Sequence, residues 1–318
     1  MRINLIKGTP STLKKDLPVV VFVHGAWHGA WCWEVHFLPY FVKNGFECYA
    51  FDLPLHGKSE DKSAINRMQI ADYVEALSLA VAQINKPVIL VGHSMGGYVV
   101  QQYLVNNDCA AVVLMASVVG KPILRLLKDI VFQYPWTMLK SLAQMDLFQL
   151  VDNTEKVRHF LFSADMPIET VKYYEKQLCT ESYGVVFYDF MIKKIPQRQN
   201  LQVPLLIQCA ENDQLVTMQE NKYTADWQKG DFQFFENIAH DMMLEEEWQL
   251  VADGMIAWLK IHFPLIGDLE KSIPKNPIIK KAFPDAVPDL IATLRKNNEI
   301  DADATDTLDL GKDVERDN

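Results

Sequence analysis

One serine lies between glycines, at the junction of two differently patterned segments. In VILVGHSMGG, the residues Gly92–Gly96 fit G-x-S-x-G, directly after an apolar run and before the helix-period segment MGGYVVQQYLV. A turn this tight strains the serine backbone, requires small neighbours and projects the hydroxyl beyond the strand. We therefore predict that Ser94 is a nucleophile and that the N–H of Met95 faces the developing oxyanion. The competing interpretation is a serine that only caps the helix.

A serine hydroxyl needs a base to take its proton, and that base needs a carboxylate to orient it. After a turn of this kind the partners follow in the order acid then histidine, each beyond a later strand. Asp213 follows LLIQCA, and His240 follows FQFFENIA. We predict a triad of Ser94, Asp213 and His240, with Glu211 as the alternative acid. Asp241 is interpreted as a carboxylate at the start of the last helix.

The tetrapeptide HGAW occurs twice in succession over residues 24–31. Its two histidines, His24 and His28, would suit a metal only if both lay on a helix with a third ligand such as the glutamate of HExxH. The two glycines oppose such a helix and no glutamate is present, so we predict no metal site. His24, at the end of an apolar run, is expected to be a buried histidine that holds the loop.

Six short apolar runs predict strands that are covered on both faces, as in a parallel sheet. They occupy residues 19–25, 48–52, 88–94, 111–117, 205–211 and 232–236. Segments with helical periodicity separate them, among them 69–85 and 244–263. This alternation predicts an α/β fold with a doubly wound, mostly parallel sheet. Ligands bind beyond the carboxyl ends of such strands, which is where Ser94, Asp213 and His240 occur.

Predicted secondary structure and composition divide the chain into three parts. Residues 120–200 read as helices only, so 1–119 and 201–263 are predicted to form the core and 120–200 an inserted helical cap, or lid. After residue 263, five prolines precede an acidic end. Residues 264–318 are therefore predicted to be a tail that is partly disordered or docked on the core.

The overall charge excludes one class of function. With 31 basic and 41 acidic residues, the net charge of −10 argues against nucleic-acid binding. Five cysteines without a CxxC pair are typical of free thiols in a reducing compartment. The chain shows no secretion signal and no run approaching the ~18 apolar residues of a membrane span. We expect a cytoplasmic protein without a membrane span, and a homodimer remains open.

Together these motifs resemble the α/β-hydrolase superfamily over roughly residues 1–263. The stretch His24–Trp33, the acid loop ENDQLVT and the histidine loop AHDMMLEEEW are similar to those of a small-ester branch that includes plant methyl esterases and hydroxynitrile lyases. The resemblance implies an α/β-hydrolase fold with an inserted cap. It also implies that the backbone N–H of Ala26 joins that of Met95 in an oxyanion hole, and small residues at 25 and 26 allow substrate to approach.

Apolar side chains indicate what enters the site. Residues 123–151, at the start of the cap, are rich in Leu, Phe and Met. This composition suits either a small core of the cap itself or an apolar roof over a pocket. We expect Trp27, His28 and Trp31 to contribute to the substrate pocket.

These residues predict a serine hydrolase that cleaves a small-to-medium apolar carboxylic ester or thioester through an acyl-enzyme intermediate, with no cofactor or metal. Its partner would be a small-molecule ester. The same triad also supports C–C bond hydrolases, cofactor-free haloperoxidases and hydroxynitrile lyases, and a ligand receptor with vestigial turnover is a further alternative. Ser94 excludes the dehalogenases and epoxide hydrolases of this fold, which use aspartate at the turn.

Overall fold

The computed structural model describes residues 3–11, 17–58, 63–198, 200 and 202–263. The predicted tail, residues 264–318, lies outside the described residues. Within the described part of the chain, no helix is both long and apolar enough to cross a membrane. All five cysteines are free thiols.

A seven-stranded sheet organises the described residues. Its strands are β1 Leu5–Gly8, β2 Val19–Val23, β3 Cys48–Phe51, β4 Val88–His93, β5 Ala111–Met115, β6 Leu205–Ala210 and β7 Asp231–Phe235. Their spatial order is β1-β3-β2-β4-β5-β6-β7, and only the pair β1–β3 is antiparallel among these described strands. The predicted α/β class and the mostly parallel sheet are confirmed.

β1 is the strand that the sequence does not predict. It spans four residues at the edge of the sheet, and only Gly8 among them is fully buried. A central strand is enclosed on both faces and must be apolar throughout, whereas a short edge strand leaves side chains such as Lys7 in solvent. The apolar signal that identifies the other six strands is therefore absent here.

Helices cover both faces of the sheet in the described residues. They are α1 Trp31–Glu34, α2 Phe37–Lys43, α3 Ile70–Ile84, α4 Met95–Tyr103, α5 Leu124–Gln133, α6 Pro135–Gln144, α7 Thr154–Leu161, α8 Ile168–Glu175, α9 Phe190–Ile192, α10 Met218–Gln228 and α11 Trp248–His262. Local signals set their ends. α3, for example, begins at a capping box between Gln69 and Asp72 and ends at Asn85, whose φ of 50° is left-handed.

The chain between β5 and β6, which includes the predicted insertion, forms helices and no strand within the described residues. Buried polar contacts attach this insertion to the core. Glu181 accepts hydrogen bonds from His56 Nε2 at 2.8 Å and from the Tyr73 hydroxyl at 3.0 Å. Asp189 accepts one from the Ile70 amide at 2.7 Å. A buried carboxylate held by such donors fixes the orientation of the segment that carries it.

The strand register brings four loops together at the carboxyl ends of the parallel strands. Val23 of β2 lies opposite Gly92 of β4, and Ala210 of β6 lies opposite Phe235 of β7. Because these strands are parallel, they end on the same side of the molecule. The segments that follow these strands contain His24, Ser94, Asp213 and His240. The fold therefore places the predicted site residues at the carboxyl ends of the strands.

An aromatic cluster packs α1 and α2 against β2. The Phe22 ring lies 4.8 Å from that of Trp33, 6.2 Å from that of Phe37 and 5.3 Å from that of Phe41. All four side chains are fully buried. Aromatic pairs at these separations contribute beyond the area they bury. The cluster therefore holds the segment after β2 in place.

We expect Phe41→Ala to lower the free energy of unfolding by about 3–5 kcal/mol, because it leaves a cavity within this cluster. Equilibrium unfolding in urea measures the change. Phe132→Ala is the matched control, since the Phe132 ring is 75% exposed and its truncation removes little packing. Equal losses in the two variants would contradict the packing assigned to Phe41.

Candidate active site

Ser94 lies at a sharp turn between β4 and α4. Its φ of 51° and ψ of −118° fall in a region that non-glycine residues rarely adopt. Backbone hydrogen bonds hold the turn, since the Ser94 amide donates to Met115 at 3.0 Å and the Ser94 carbonyl accepts from Val118 at 3.1 Å. The conformation predicted from G-x-S-x-G is therefore present, and β5 stabilises it from the side.

Two glycines let other backbone segments come close to this turn. A Cβ on Gly25 would lie 2.8 Å from Nδ1 of His93 and 3.0 Å from Cβ of Ser94. A Cβ on Gly96 would collide with the carbonyl oxygens at the end of β2. The HGAW loop and the first turn of α4 can therefore approach each other only because both positions lack a side chain.

Ser94, His240 and Asp213 form a chain of hydrogen bonds. The Ser94 hydroxyl donates to Nε2 of His240 at 2.9 Å, and Nδ1–H of His240 donates to Oδ2 of Asp213 at 2.8 Å. All three residues are buried. These are the contacts that a nucleophile, a general base and an orienting carboxylate require.

The acid loop distinguishes Asp213 from its alternative, Glu211. The second carboxylate oxygen of Asp213 accepts from the amides of Leu215 and Val216, at 2.8 and 2.9 Å, which fixes the direction of the carboxylate. Glu211 is exposed and accepts from the Asn237 amide at 2.9 Å. The structure thus places Asp213 against His240 and uses Glu211 to tie two loops together.

The charges around His240 favour its protonated form. Burial lowers the pKa of His240, but the carboxylate of Asp213, with a further contribution from Asp241, outweighs it and raises the pKa above the ordinary 6.5. A histidine with a raised pKa is a stronger base once it is neutral.

His93, between Gly92 and Ser94, is a neutral neighbour of this base. Its ring centre lies 4.8 Å from that of His240, and its Nε2–H donates to the His240 carbonyl at 3.0 Å. Burial, followed by the nearby His240, lowers the pKa of His93 to about 3. His93 therefore supports the His240 backbone and does not compete with its ring for protons.

His28 and Asp241 form a buried pair beside the triad. Nε2 of His28 lies 2.9 Å from Oδ2 of Asp241, and Nδ1 lies 2.7 Å from the carbonyl oxygen of Ala26. A carbonyl only accepts, so Nδ1 carries a proton. Burial raises the pKa of Asp241, but His28 outweighs it and lowers the pKa, so the carboxylate is ionised and accepts from Nε2. The His28 ring therefore links the carboxylate of Asp241 to the carbonyl of Ala26.

This pair corrects two predictions. Asp241 does not begin the last helix, because α11 starts at Trp248 and the Asp241 side chain is fully buried against His28. His28 is not among the residues that line the apolar cavity above Ser94 described below, because its ring points at Asp241 and Ala26. The two residues are 213 positions apart, so a single sequence offers no signal that joins them.

The remaining residues of the doubled tetrapeptide take separate positions. His24 is buried as expected, donates to the Gly25 carbonyl at 2.8 Å and accepts from the Leu53 amide at 2.9 Å. Trp27 lines the cavity and has a φ of 64°. Trp31 does not line it, which corrects the prediction, because its indole stacks between His28 and Tyr174 at 5.4 and 6.0 Å.

An apolar cavity opens above Ser94, with an empty space of about 780 Å³ that includes its part open to solvent. Ala26, Trp27 and Met95 line its floor, and side chains of the insertion complete it, among them Leu127, Ile130, Met138, Leu147 and Phe187. Among the described residues that line the cavity, only Ser94 and Glu220 have side chains that end in oxygen. Glu220 is already paired with Arg125 at 2.9 Å and with the cap of α10.

The two predicted oxyanion donors belong to this cavity. Met95 is the first residue of α4, so its N–H has no acceptor within the helix. Ala26 also lines this cavity, in the loop that Gly25 brings against Ser94. His28 holds the carbonyl of Ala26 and thereby orients the peptide that follows it.

Three buried side chains could in principle hold a metal ion. The ligand atoms of His93, His240 and Asp241 lie within 4.8 Å of one another. However, both ring nitrogens of His240 contact Ser94 and Asp213, and Asp241 is paired with His28. A metal would have to displace these partners, so the donor set does not fit one.

Two curated proteins are similar in sequence to part of this chain. Methylesterase 3 of Arabidopsis thaliana is 38% identical over 80 residues, which are 24% of this chain and 30% of that protein. A putative 2-succinyl-6-hydroxy-2,4-cyclohexadiene-1-carboxylate synthase of Haemophilus influenzae is 32% identical over 108 residues, 32% of this chain and 41% of that protein. The matched segment thus spans less than half the length of these curated relatives.

The likeness to solved structures covers more of the chain. An esterase from Exiguobacterium antarcticum superposes with a TM-score of 0.60 at 18% identity, over 81% of this chain and 95% of the esterase. At this identity the likeness shows the fold. A family model described as "Alpha/beta hydrolase family" matches residues 20–254. The chain therefore belongs to the alpha/beta hydrolase family.

Proposed function

We propose that the protein is a serine hydrolase that cleaves small-to-medium apolar carboxylic esters or thioesters through an acyl-enzyme intermediate. One observation carries the proposal: the Ser94 hydroxyl is hydrogen-bonded to a histidine with a raised pKa, on the floor of an apolar cavity. The similarity to plant methylesterases supports the same reaction class.

The reaction proceeds in two halves. Ser94 Oγ attacks the carbonyl carbon while Nε2 of His240 takes the hydroxyl proton, and Asp213 stabilises the imidazolium. The backbone N–H groups of Ala26 and Met95 receive the oxyanion, and losing one such donor typically costs about 10²–10³ in rate. His240 then gives its proton to the leaving alcohol or thiol. Water attacks the acyl-serine, His240 takes its proton, and Ser94 recovers that proton as the carboxylic acid departs.

The cavity supports an apolar acyl or alcohol group. Aliphatic, aromatic and thioether side chains surround Ser94, and the carboxylate of Glu220 is neutralised by Arg125. No cationic side chain lies among the described residues that line the cavity, so an anionic substrate group would lose its hydration without compensation.

A non-hydrolytic reaction is the second candidate. The relative from Haemophilus influenzae is named as a putative synthase, and its matched segment is longer than that of Methylesterase 3. A triad can remove a proton in such a reaction without forming an acyl-enzyme. Covalent labelling and ester turnover, tested together, distinguish an esterase from a non-hydrolytic enzyme and from a ligand receptor with vestigial turnover.

A fluorophosphonate probe should label the wild-type protein at Ser94, and the protein should hydrolyse short p-nitrophenyl esters. Ser94→Ala should abolish labelling and reduce kcat by a factor on the order of 10⁴–10⁶ while leaving the thermal unfolding transition in place. Mass spectrometry of the labelled peptide and a spectrophotometric assay measure the two effects. A wild-type protein that is neither labelled nor hydrolytic would refute the proposal.

Replacing the two carboxylates of the acid loop should have unequal effects. Asp213→Asn keeps the shape but removes the charge that orients His240, so kcat should fall by about 10⁴-fold. Glu211→Gln is the matched control, because Glu211 contacts the Asn237 amide and not His240. If steady-state kinetics showed the larger loss for Glu211→Gln, the assignment of the acid would be wrong.

The rate of ester hydrolysis should depend on the protonation of His240. Only the neutral ring accepts the Ser94 proton, so kcat/KM should be constant at high pH and fall tenfold per unit below the pKa of the free enzyme. Because that pKa is raised, the inflection should lie above 6.5. A pH–rate profile measures it, and an inflection below 6.5 or a flat profile would contradict His240 as the base.

A further inference from the structure

The outer surface of α5 and α6 exposes many large apolar side chains. Trp136 is 80% exposed and Phe132 75%, the two highest values for large apolar residues in the described part of the chain. Five more lie within the same 22 residues: Leu124, Val131, Leu139, Leu142 and Met145. Patches of this kind on a soluble domain mark contact surfaces.

The exposed residues follow the helical period. Leu124, Val131 and Phe132 lie on one face of α5, and Trp136 and Leu139 lie on one face of α6. The opposite faces are apolar as well, because Leu126, Ile130 and Met138 line the cavity above Ser94. A helix that is apolar on both faces is normally enclosed on both. We call the exposed side of α5 and α6 the outer face.

The charge of the outer face differs from that of the whole protein. Residues 121–145 contain four basic residues and one acidic residue, a net charge of +3, whereas the chain carries −10. Lys128 and Lys140 are exposed among the apolar side chains, with Lys128 Nζ 5.9 Å from the Phe132 ring centre. Arg125 is neutralised by Asp129 and Glu220, and Lys140 lies 3.5 Å from Asp152.

We propose that the outer face docks on the surface of an anionic phospholipid bilayer. Aromatic and aliphatic side chains that project from a short helical hairpin fit the boundary between headgroups and acyl chains. Lysines beside them fit anionic headgroups, and each contributes about 1 kcal/mol near such a surface. In this mode of binding, α5 and α6 lie in the plane of the bilayer surface, and no membrane-spanning helix is needed.

The charge distribution disfavours a second copy of the chain as the occupant. A two-fold contact places the same patch against itself, so Lys128 and Lys140 of one copy would lie in the same interface as those of the partner copy. Like charges brought together in an interface cost affinity, whereas anionic lipid neutralises them. The lipid surface is therefore the occupant that matches both the apolar and the basic character of the outer face.

Docking would bring the cavity close to the lipid. The residues that line the cavity and those of the outer face lie on opposite sides of the same two helices, a separation of about 10 Å across one helix. The docking surface uses neither Ser94 nor His240, so it stands independently of the proposed reaction.

The proposal is tested with the full-length protein by sedimentation with vesicles. Wild type should sediment with phosphatidylcholine vesicles that contain phosphatidylserine, and salt should weaken the binding. Trp136→Ser and Phe132→Ser should each reduce binding by about tenfold or more, since each removes apolar area that docking on the bilayer would bury. Lys128→Glu should reduce binding to anionic vesicles selectively. Leu250→Ser, at an exposed apolar residue of α11, is the matched control and should bind as wild type does.

Two outcomes would overturn the proposal. One is wild-type protein that stays in solution with anionic vesicles, or that binds phosphatidylcholine vesicles equally well. The other is a stable dimer in sedimentation velocity that Trp136→Ser converts to monomer, which would assign the outer face to a second copy. Circular dichroism of each variant establishes that the fold is retained, so that a loss of binding is read as a loss of contact.

Discussion

The site depends on one backbone constraint, the positive φ of Ser94. Such a residue costs roughly 1–3 kcal/mol and persists only where its surroundings hold it. Here β5 holds the turn from one side and the Gly25 loop closes on it from another, while α4 begins within one residue. The position of the Ser94 hydroxyl, the place of Met95 at the start of α4 and the approach of Ala26 all follow from that turn. The loops after β6 and β7 then place one carboxylate, Asp213, and one histidine, His240, next to this turn.

Electrostatics give neighbouring histidines different states. His93 and His240 have ring centres 4.8 Å apart, yet burial drives the pKa of His93 to about 3 while carboxylates raise that of His240. The difference comes from contacts, since His240 faces Asp213 directly, whereas His93 Nε2 faces a backbone carbonyl. His28 contacts a carboxylate on one side and a carbonyl on the other. Three buried histidines of one cluster thus lie in three different electrostatic environments.

The sequence predicts most of the architecture because enclosure in a parallel sheet leaves a strong apolar signal. Six strands and the positions of Ser94, Asp213 and His240 follow from that signal and from motif order. The sequence does not predict β1, because a four-residue edge strand needs no continuous apolarity. It does not predict the roles of His28, Trp31 and Asp241 for a different reason: the tertiary partners of these residues lie up to 213 positions away. The cavity roof comes from an insertion whose apolar residues could equally have formed its own core.

The contact between His28 and Asp241 also has a consequence for biosynthesis. At about 5–20 residues per second, the ribosome makes the second partner roughly 10–45 s after the first. Throughout that interval the peptide at Ala26 lacks the clamp that orients it, and Ser94 lacks its histidine. A nascent chain therefore carries an unassembled site until the residues that follow β7 emerge, so the contacts among Ser94, Asp213 and His240 form only after that point of translation.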